Sequence, residues 1–211
     1  MNIPMHTNNR PTVIFFVRHG QTEWNKLRKV QGQIDIPLSE AGIMQAREVA
    51  QRLAGHAIDA IISSDLQRAA QTAAIINEYH KHTIKLEPLL REQHYGIAQG
   101  MLADEFPSRF QVTAKTLNQL EQEYSVPEAE TYAQLVDRAS RALHGIIEDH
   151  GGQTVLVVAH NSLMRSLIRH ALNNHRLPVE IENCGIAHFH HDMQLEFRGF
   201  IGDGGKIGHD E

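Results

Sequence analysis

The chain has 211 residues, 41% of them hydrophobic and 21% charged, which is enough apolar material for one core of ordinary size. The formal charge of −5, with no Lys/Arg stripe, argues against a nucleic-acid partner. One cysteine, Cys184, excludes a disulfide framework within the chain and fits a reducing compartment.

The opening segment, MNIPMHTNNRP, has no apolar h-region and does not read as a signal peptide. The longest apolar runs are strand-sized, so no membrane span is expected, and the reading is a cytoplasmic protein. Residues 1–10 and the glycine-rich 201–211 are expected to be loose tails around a domain spanning 11–200.

In chain order, Val13–Val17, Ala60–Ile62 and Val155–Ala159 are continuous Val/Ile-rich runs, the pattern of strands buried on both faces of a parallel sheet. Helical patterns separate them over about Ser39–Leu53, Ser64–Tyr79, Tyr132–Glu148 and Ser162–Leu172. The alternation predicts an α/β fold, a three-layer α/β/α sandwich with a mostly parallel central sheet. The stretch from Tyr79 to Pro127 is less regular, with short helices expected around Ala103–Phe110 and Thr113–Glu123. GIAHFHHDMQLEFRGF predicts two strands turning at Asp192-Met193, with His188–His191 in an edge strand.

Four potential cations follow these strands: Arg18 and His19 after the first, Arg68 beyond the second, His160 after the third. A single one reads as a surface strand cap. Four at one end of a sheet read as a site, because open α/β sheets bind ligands at the carboxyl ends of their strands.

Ser64 with Gln67 has the spacing of a capping box, which puts Arg68 in a first helical turn and off the apolar stripe of Leu66, Ala69, Ala70, Ala73 and Ile76. A cation is disfavoured there by the helix dipole, and an anion bound at that helix start is the expected reason for it. A phosphoryl group suits the set. Arginine's planar fork matches phosphate oxygens, and one charge pair at 4 Å contributes about 4 kcal/mol gross at an effective dielectric near 20.

Five segments carry a family resemblance: FFVRHGQTEWN, GQIDIPLSEAGIMQA, ISSDLQRAAQTA, LREQHYGIAQG and VLVVAHNSLMRSL. In this order they resemble the motifs of the histidine phosphatase superfamily, the group of cofactor-dependent phosphoglycerate mutases and related phosphatases. The resemblance implies that His19 is a nucleophile that becomes phosphorylated. It places Arg18, Arg68 and His160 around the phosphate, Asn25 in a hydrogen bond to it, and Glu92 as general acid. Gln31 and Gly32 match positions at the substrate entrance. Asn161, placed with the substrate-binding positions, stands where the family usually has glycine. No metal and no cofactor are implied, and the implied partner is a small phosphorylated substrate.

The residues are chemically suited to these roles. Neutral histidine is a competent nucleophile, phosphoryl transfer needs positioning and charge stabilisation, and a carboxylic acid can protonate the leaving oxygen. Sequence alone does not choose Glu92 over Glu87 or Glu105. Gly20 is expected to allow a sharp turn after His19, Asn161 to tolerate a left-handed turn, and Trp24 to be a packing residue.

EQHYG is close to the ERHYG of mutases, but Gln93 stands where they have arginine and Ala103 where they have a lysine. The longer mutase insertion is missing between Gly100 and Pro127. A phosphatase is therefore expected. Mutase-type transfer, a non-catalytic phospho-ligand binding protein, and a metal site on His188 and His190 are the alternatives.

Overall fold

The computed structural model describes residues 10–105 and 126–208. Its centre is a six-stranded sheet in the order β3-β2-β4-β1-β6-β7. These are β1 (Thr12–Arg18), β2 (Ala60–Ser63), β3 (Ile84–Leu86), β4 (Thr154–Ala159), β6 (Ile186–His191) and β7 (Leu195–Ile201). The first four are mutually parallel; β6 runs antiparallel to β1, and β7 antiparallel to β6.

The continuous apolar run of β1 is explained by its two faces. Ile14 and Phe16 pack into one core with α4 (Tyr132–Asp149) and α5 (Asn161–Ala171). Phe15 and Val17 pack into a second core with α2 (Glu40–Leu53) and α3 (Gln67–His80). The result is the expected three-layer α/β/α sandwich. A short helix, α1 (Glu23–Lys26), follows β1.

Several expectations change. The helix read from Ser64 starts at Gln67, after Leu66. Ser64 Oγ is engaged by His160 Nε2 at 2.9 Å, and Gln67 is held by Asp35, whose carboxylate accepts from its backbone N (2.7 Å) and side-chain Nε2 (3.0 Å). There is no capping box, and the helix start is occupied by a carboxylate of the chain itself.

The segment from residue 201 is not simply a tail. Gly205–Ile207 forms β8, antiparallel to β5 (Val179–Ile181). Both strands are three residues long, too short for the sequence pattern to show. The HFHH strand is β6, one place in from the edge, which β7 occupies. His188 stacks on Phe15 (4.9 Å between centroids), and Phe189 is fully buried in the other core. Among the described residues no group of three or more His, Cys, Asp or Glu side chains is placed to hold a metal ion. The helix expected at Thr113–Glu123 and most of that at Ala103–Phe110 lie outside the described residues. No helix among the described residues is long and apolar enough to cross a membrane.

Candidate active site

Because β1 and β4 are neighbours in the middle of the sheet, Arg18-His19 and His160 leave adjacent parallel strand ends. The link is direct: His19 N donates to Ala159 O at 3.0 Å. The imidazole rings of His19 and His160 lie 5.1 Å apart, tilted by 55°.

A cavity of about 240 Å³ opens at this end of the sheet. Arg18, His19, Asn25, Gln31, Gly32, Arg68, Glu92 and Asn161 line it. His160 does not reach its wall; the ring is fully buried beside His19 and bound to Ser64 Oγ, and its Nδ1 has no partner.

The tautomer of His19 follows from one contact. Nδ1 lies 2.7 Å from Gly20 O. A carbonyl oxygen only accepts, so Nδ1 carries the proton and the lone pair is on Nε2. Burial, then Arg68, then Arg18, lower the pKa of His19 well below its ordinary value. Burial, Arg68 and His19 do the same to His160. Both rings are therefore neutral at pH 7 with no anion bound, and a positive charge on His160 in this state is not supported.

Each guanidinium is aimed by backbone carbonyls. Arg68 is fully buried and donates from Nη1 to Ile34 O (2.8 Å) and from Nη2 to Gly32 O (2.6 Å). The side chain thus has a structural task, pinning the 32–34 loop, which sequence reading did not give it. Arg18 Nη1 donates to Ile181 O at 2.5 Å. Nε of each is buried without a partner. Burial foremost lowers both pKa values to about 10; Glu92 raises both, while Arg165 lowers that of Arg18 and Arg18 lowers that of Arg68. Both stay charged at neutral pH.

The glycines act by close approach. A Cβ on Gly20 would lie 2.5 Å from the backbone oxygen of Gly42 in α2, so Gly20 serves helix packing; it is not at positive φ. Gly32 does have φ +54, and its carbonyl is the one Arg68 holds. Asn161 is the first residue of α5 and not in a left-handed turn.

Of the three candidate acids, Glu92 alone lines the cavity. Its carboxyl oxygens accept from Ser162 N in the first turn of α5 (3.1 and 3.3 Å) and from Gln93 N (2.9 Å). The loop carrying it is stapled by Arg138 of α4, whose guanidinium donates to Leu89 O, Arg91 O and Glu92 O at 2.7 to 3.2 Å and pairs with Glu130 at 2.8 Å. Arg165 of α5 also lines the cavity, with Nη2 3.3 Å from Ser162 Oγ. Sequence reading missed both arginines. Arg138 sits on an ordinary amphipathic helix with no local signal, while Arg165, five residues after His160, could have been found by asking which residue one turn after Asn161 shares its face of α5. Gln93 and Ala103, the two positions that differ from mutases, both line the cavity.

The sequence matches the pattern of the histidine phosphatase superfamily (branch 1) over residues 14–195. The chain belongs to that superfamily. It is 34% identical over 186 residues to the probable phosphoglycerate mutase GpmB of Serratia proteamaculans, covering 85% of each chain. Among solved structures it resembles YhfR of Bacillus stearothermophilus, with TM-score 0.80 and 26% identity over 89% of this chain and 96% of that one. It also resembles a phosphoserine phosphatase mutant from Entamoeba histolytica in complex with phosphoserine, with TM-score 0.75 and 26% identity over 90% of this chain and 96% of that one. Superfamily membership makes an enzyme acting on phosphate esters the natural reading of the cavity.

Proposed function

We propose that the protein is a phosphomonoesterase that hydrolyses a small phosphorylated substrate through a phosphohistidine at His19. The observation that carries this is the pair Arg18 and Arg68. One fully buried guanidinium, Arg68, and one part-buried, Arg18, with no carboxylate in an ion pair with either among the described residues, flank a neutral imidazole with its lone pair on Nε2. Two such like charges are costly unless an anion joins them, and a phosphoryl group supplies about two negative charges.

In this reading Nε2 of His19 attacks phosphorus as the ester oxygen leaves. Arg18 and Arg68, and Asn25 on the same wall, hold the equatorial oxygens as charge redistributes. The arriving dianion favours protonation of the buried His160 ring, opposite in sign to the effect of the arginines. Glu92, when protonated, gives its proton to the leaving oxygen. It then takes one from the water that attacks the phosphohistidine, returning His19 and releasing phosphate. Gln31 and Gly32 form the entrance, with Gly32 also anchoring Arg68.

Gln93 and Ala103 in the cavity wall favour hydrolysis over mutase transfer, since neither supplies a cation to retain an acidic intermediate. The GpmB relative, named a probable phosphoglycerate mutase, supports the second reading, phosphoryl transfer between two positions of one substrate. Rapid quenching with labelled substrate tests the shared step: label stable in base and lost in acid should appear on the wild type and not on His19→Ala. Full turnover with no label at any time would remove His19 as nucleophile. Release of inorganic phosphate at the rate of substrate loss would separate hydrolysis from transfer.

A further inference from the structure

The strand ends of the cavity are fixed by the sheet, but Asn25 is not on a strand. It belongs to α1, a four-residue helix with no buried residue. Its Oδ1 accepts from Thr22 N at 3.1 Å, and the Thr22 hydroxyl lies at the same distance. A backbone N–H only donates, so the amide has one orientation. Its oxygen turns to Thr22, and Nδ2 is the donor left for a ligand in the cavity that Asn25 lines. These bonds span three residues of one turn. They set the rotation of the amide and not its place relative to His19.

Asn183 supplies that second constraint. Its Nδ2 donates to His19 O at 3.0 Å and to Asn25 Oδ1 at 3.4 Å, so one amino group with two protons bridges the backbone of the nucleophile and the amide. Among the described residues, Asn183 alone hydrogen-bonds Asn25 from outside residues 22–28. Asn183 is itself held firmly. It sits in a turn between β5 and β6, closed by Gly185 N donating to Glu182 O at 2.8 Å. The turn clasps β1 through Arg18 N to Gly185 O and Cys184 N to Arg18 O, both 3.0 Å. Cys184 has φ +61, a left-handed conformation that persists in a non-glycine residue only where the surroundings over-determine it. Cys184 N also donates to His19 O at 3.3 Å, so that carbonyl keeps a donor without Asn183. The contribution peculiar to Asn183 is therefore the bond to Asn25.

We propose that Asn183 is a positioning residue for phosphoryl transfer, setting the Asn25 amide at a fixed distance from His19 so that its Nδ2 meets an equatorial oxygen. This rests on the phosphomonoesterase reading, in which Asn25 binds the phosphate, and extends it to a residue that does not line the cavity. A donor misplaced by a fraction of the length of a hydrogen bond loses most of its effect on a transferring group.

A double-mutant cycle tests it with two readouts. One is kcat/KM for p-nitrophenyl phosphate, whose leaving group needs little help, so that the phosphate end is isolated. The other is the calorimetric Kd for vanadate, which depends neither on turnover nor on the folded fraction. Asn25→Ala should cost roughly tenfold to a hundredfold in both, the worth of a hydrogen bond to a charged group. Asn183→Ala should cost about threefold to thirtyfold in both. In the Asn25→Ala background, Asn183→Ala should change either constant by no more than about twofold, because the amide it places is gone. A double variant nearer the product of the two single losses would overturn the proposal, since Asn183 would then act through the His19 backbone or the fold at large. Wild-type constants in either single variant would overturn it too. If Asn183→Ala fails to fold, Asn183→Ser, too short for the bridge, takes its place in the same cycle. If the wild type leaves p-nitrophenyl phosphate intact, the esterase reading falls, and the vanadate cycle still decides for or against Asn183.

Discussion

The two sides of the cavity are held by different means. Arg18, His19 and His160 ride on β1 and β4, where ladder hydrogen bonds and two cores fix the backbone. Glu92, Gln93 and Tyr95 ride on a loop between β3 and α4 whose described residues make only isolated bridges, Leu102 with Lys29 and Tyr95 with Ala129. Side chains tie it down: Arg138 through three carbonyls, Gln33 Nε2 through Glu92 O at 3.0 Å, and Arg91 in a two-point ion pair with Asp65. The first arrangement places charge through the fold itself. The second depends on a few replaceable clamps, so leaving-group chemistry and specificity can change while the phosphate end stays put.

The sharpest way to break the comparison is at Glu92, where the loop side enters the chemistry. An alkoxide is a poor leaving group without a proton, whereas p-nitrophenolate needs little help. Glu92→Ala should slow the phosphorylation burst with an alkyl ester by roughly 10²–10⁴ and with p-nitrophenyl phosphate far less. The Glu87 carboxylate only caps Leu89 N at 3.0 Å, outside the cavity, so Glu87→Ala is the control and should leave both bursts near wild type. Equal losses with both substrates would take Glu92 out of the acid role.

Next is Arg138. The Arg138–Glu130 pair is largely buried, each side chain 13% exposed. Arg138→Ala strands the Glu130 charge and frees three carbonyls, and should cost about 3–5 kcal/mol in urea unfolding. Any folded variant should lose more activity on alkyl esters than on p-nitrophenyl phosphate, because the loop with Glu92 is what loosens. Unchanged stability would mean that the loop is held by other contacts.

The same division explains what the sequence revealed. Arg18, His19 and His160 were legible because each directly follows an apolar strand run, and parallel strands bring such ends together. Glu92 was not separable from Glu87 or Glu105 by residue type; only the family resemblance singled it out. Arg138 was invisible because its role depends on which turn of a helix faces a loop far away in sequence, whereas Arg165, one helical turn after Asn161, was within reach and missed. The mistaken capping box at Ser64 has a similar cause. Local spacing was right, but His160, 96 residues away, claims the hydroxyl, and Asp35 supplies the carboxylate. The strands β3, β5 and β8 are each three residues long, too short for periodicity to register.

A smaller effect is expected where the strand-end side meets its helix layer. The Cβ of Gly20→Ala would lie 2.5 Å from Gly42 O, and backbone cannot swing aside as a side chain does. Overpacking of this kind costs about 1–3 kcal/mol. Gly20 O also fixes the His19 tautomer, so displacement should lower kcat on both substrate types alike, unlike Arg138→Ala. A variant as stable and active as wild type would show that α2 yields easily at this contact.

The smallest effect concerns pH and separates the two sides by titration. Burial and then the two arginines depress His19 in the folded state, while in the unfolded chain it titrates near 6.5. Between those two values the unfolded chain binds a proton that the folded chain does not. Stability therefore rises with pH, and falls as pH drops below about 6.5. The slope approaches about 1.4 kcal/mol per pH unit for one such group. His160 contributes with the same sign. In urea unfolding between pH 7 and pH 5, His19→Gln should lose about that much of the wild-type slope, whereas Gln93→Leu, on the loop side, should keep it. Saturating vanadate should reduce the wild-type slope, because an anion between Arg18 and Arg68 offsets the charges that, after burial, help to hold both rings neutral. A His19→Gln slope equal to that of wild type would mean that the ring is protonated in the folded protein, and would undercut its role as a neutral nucleophile.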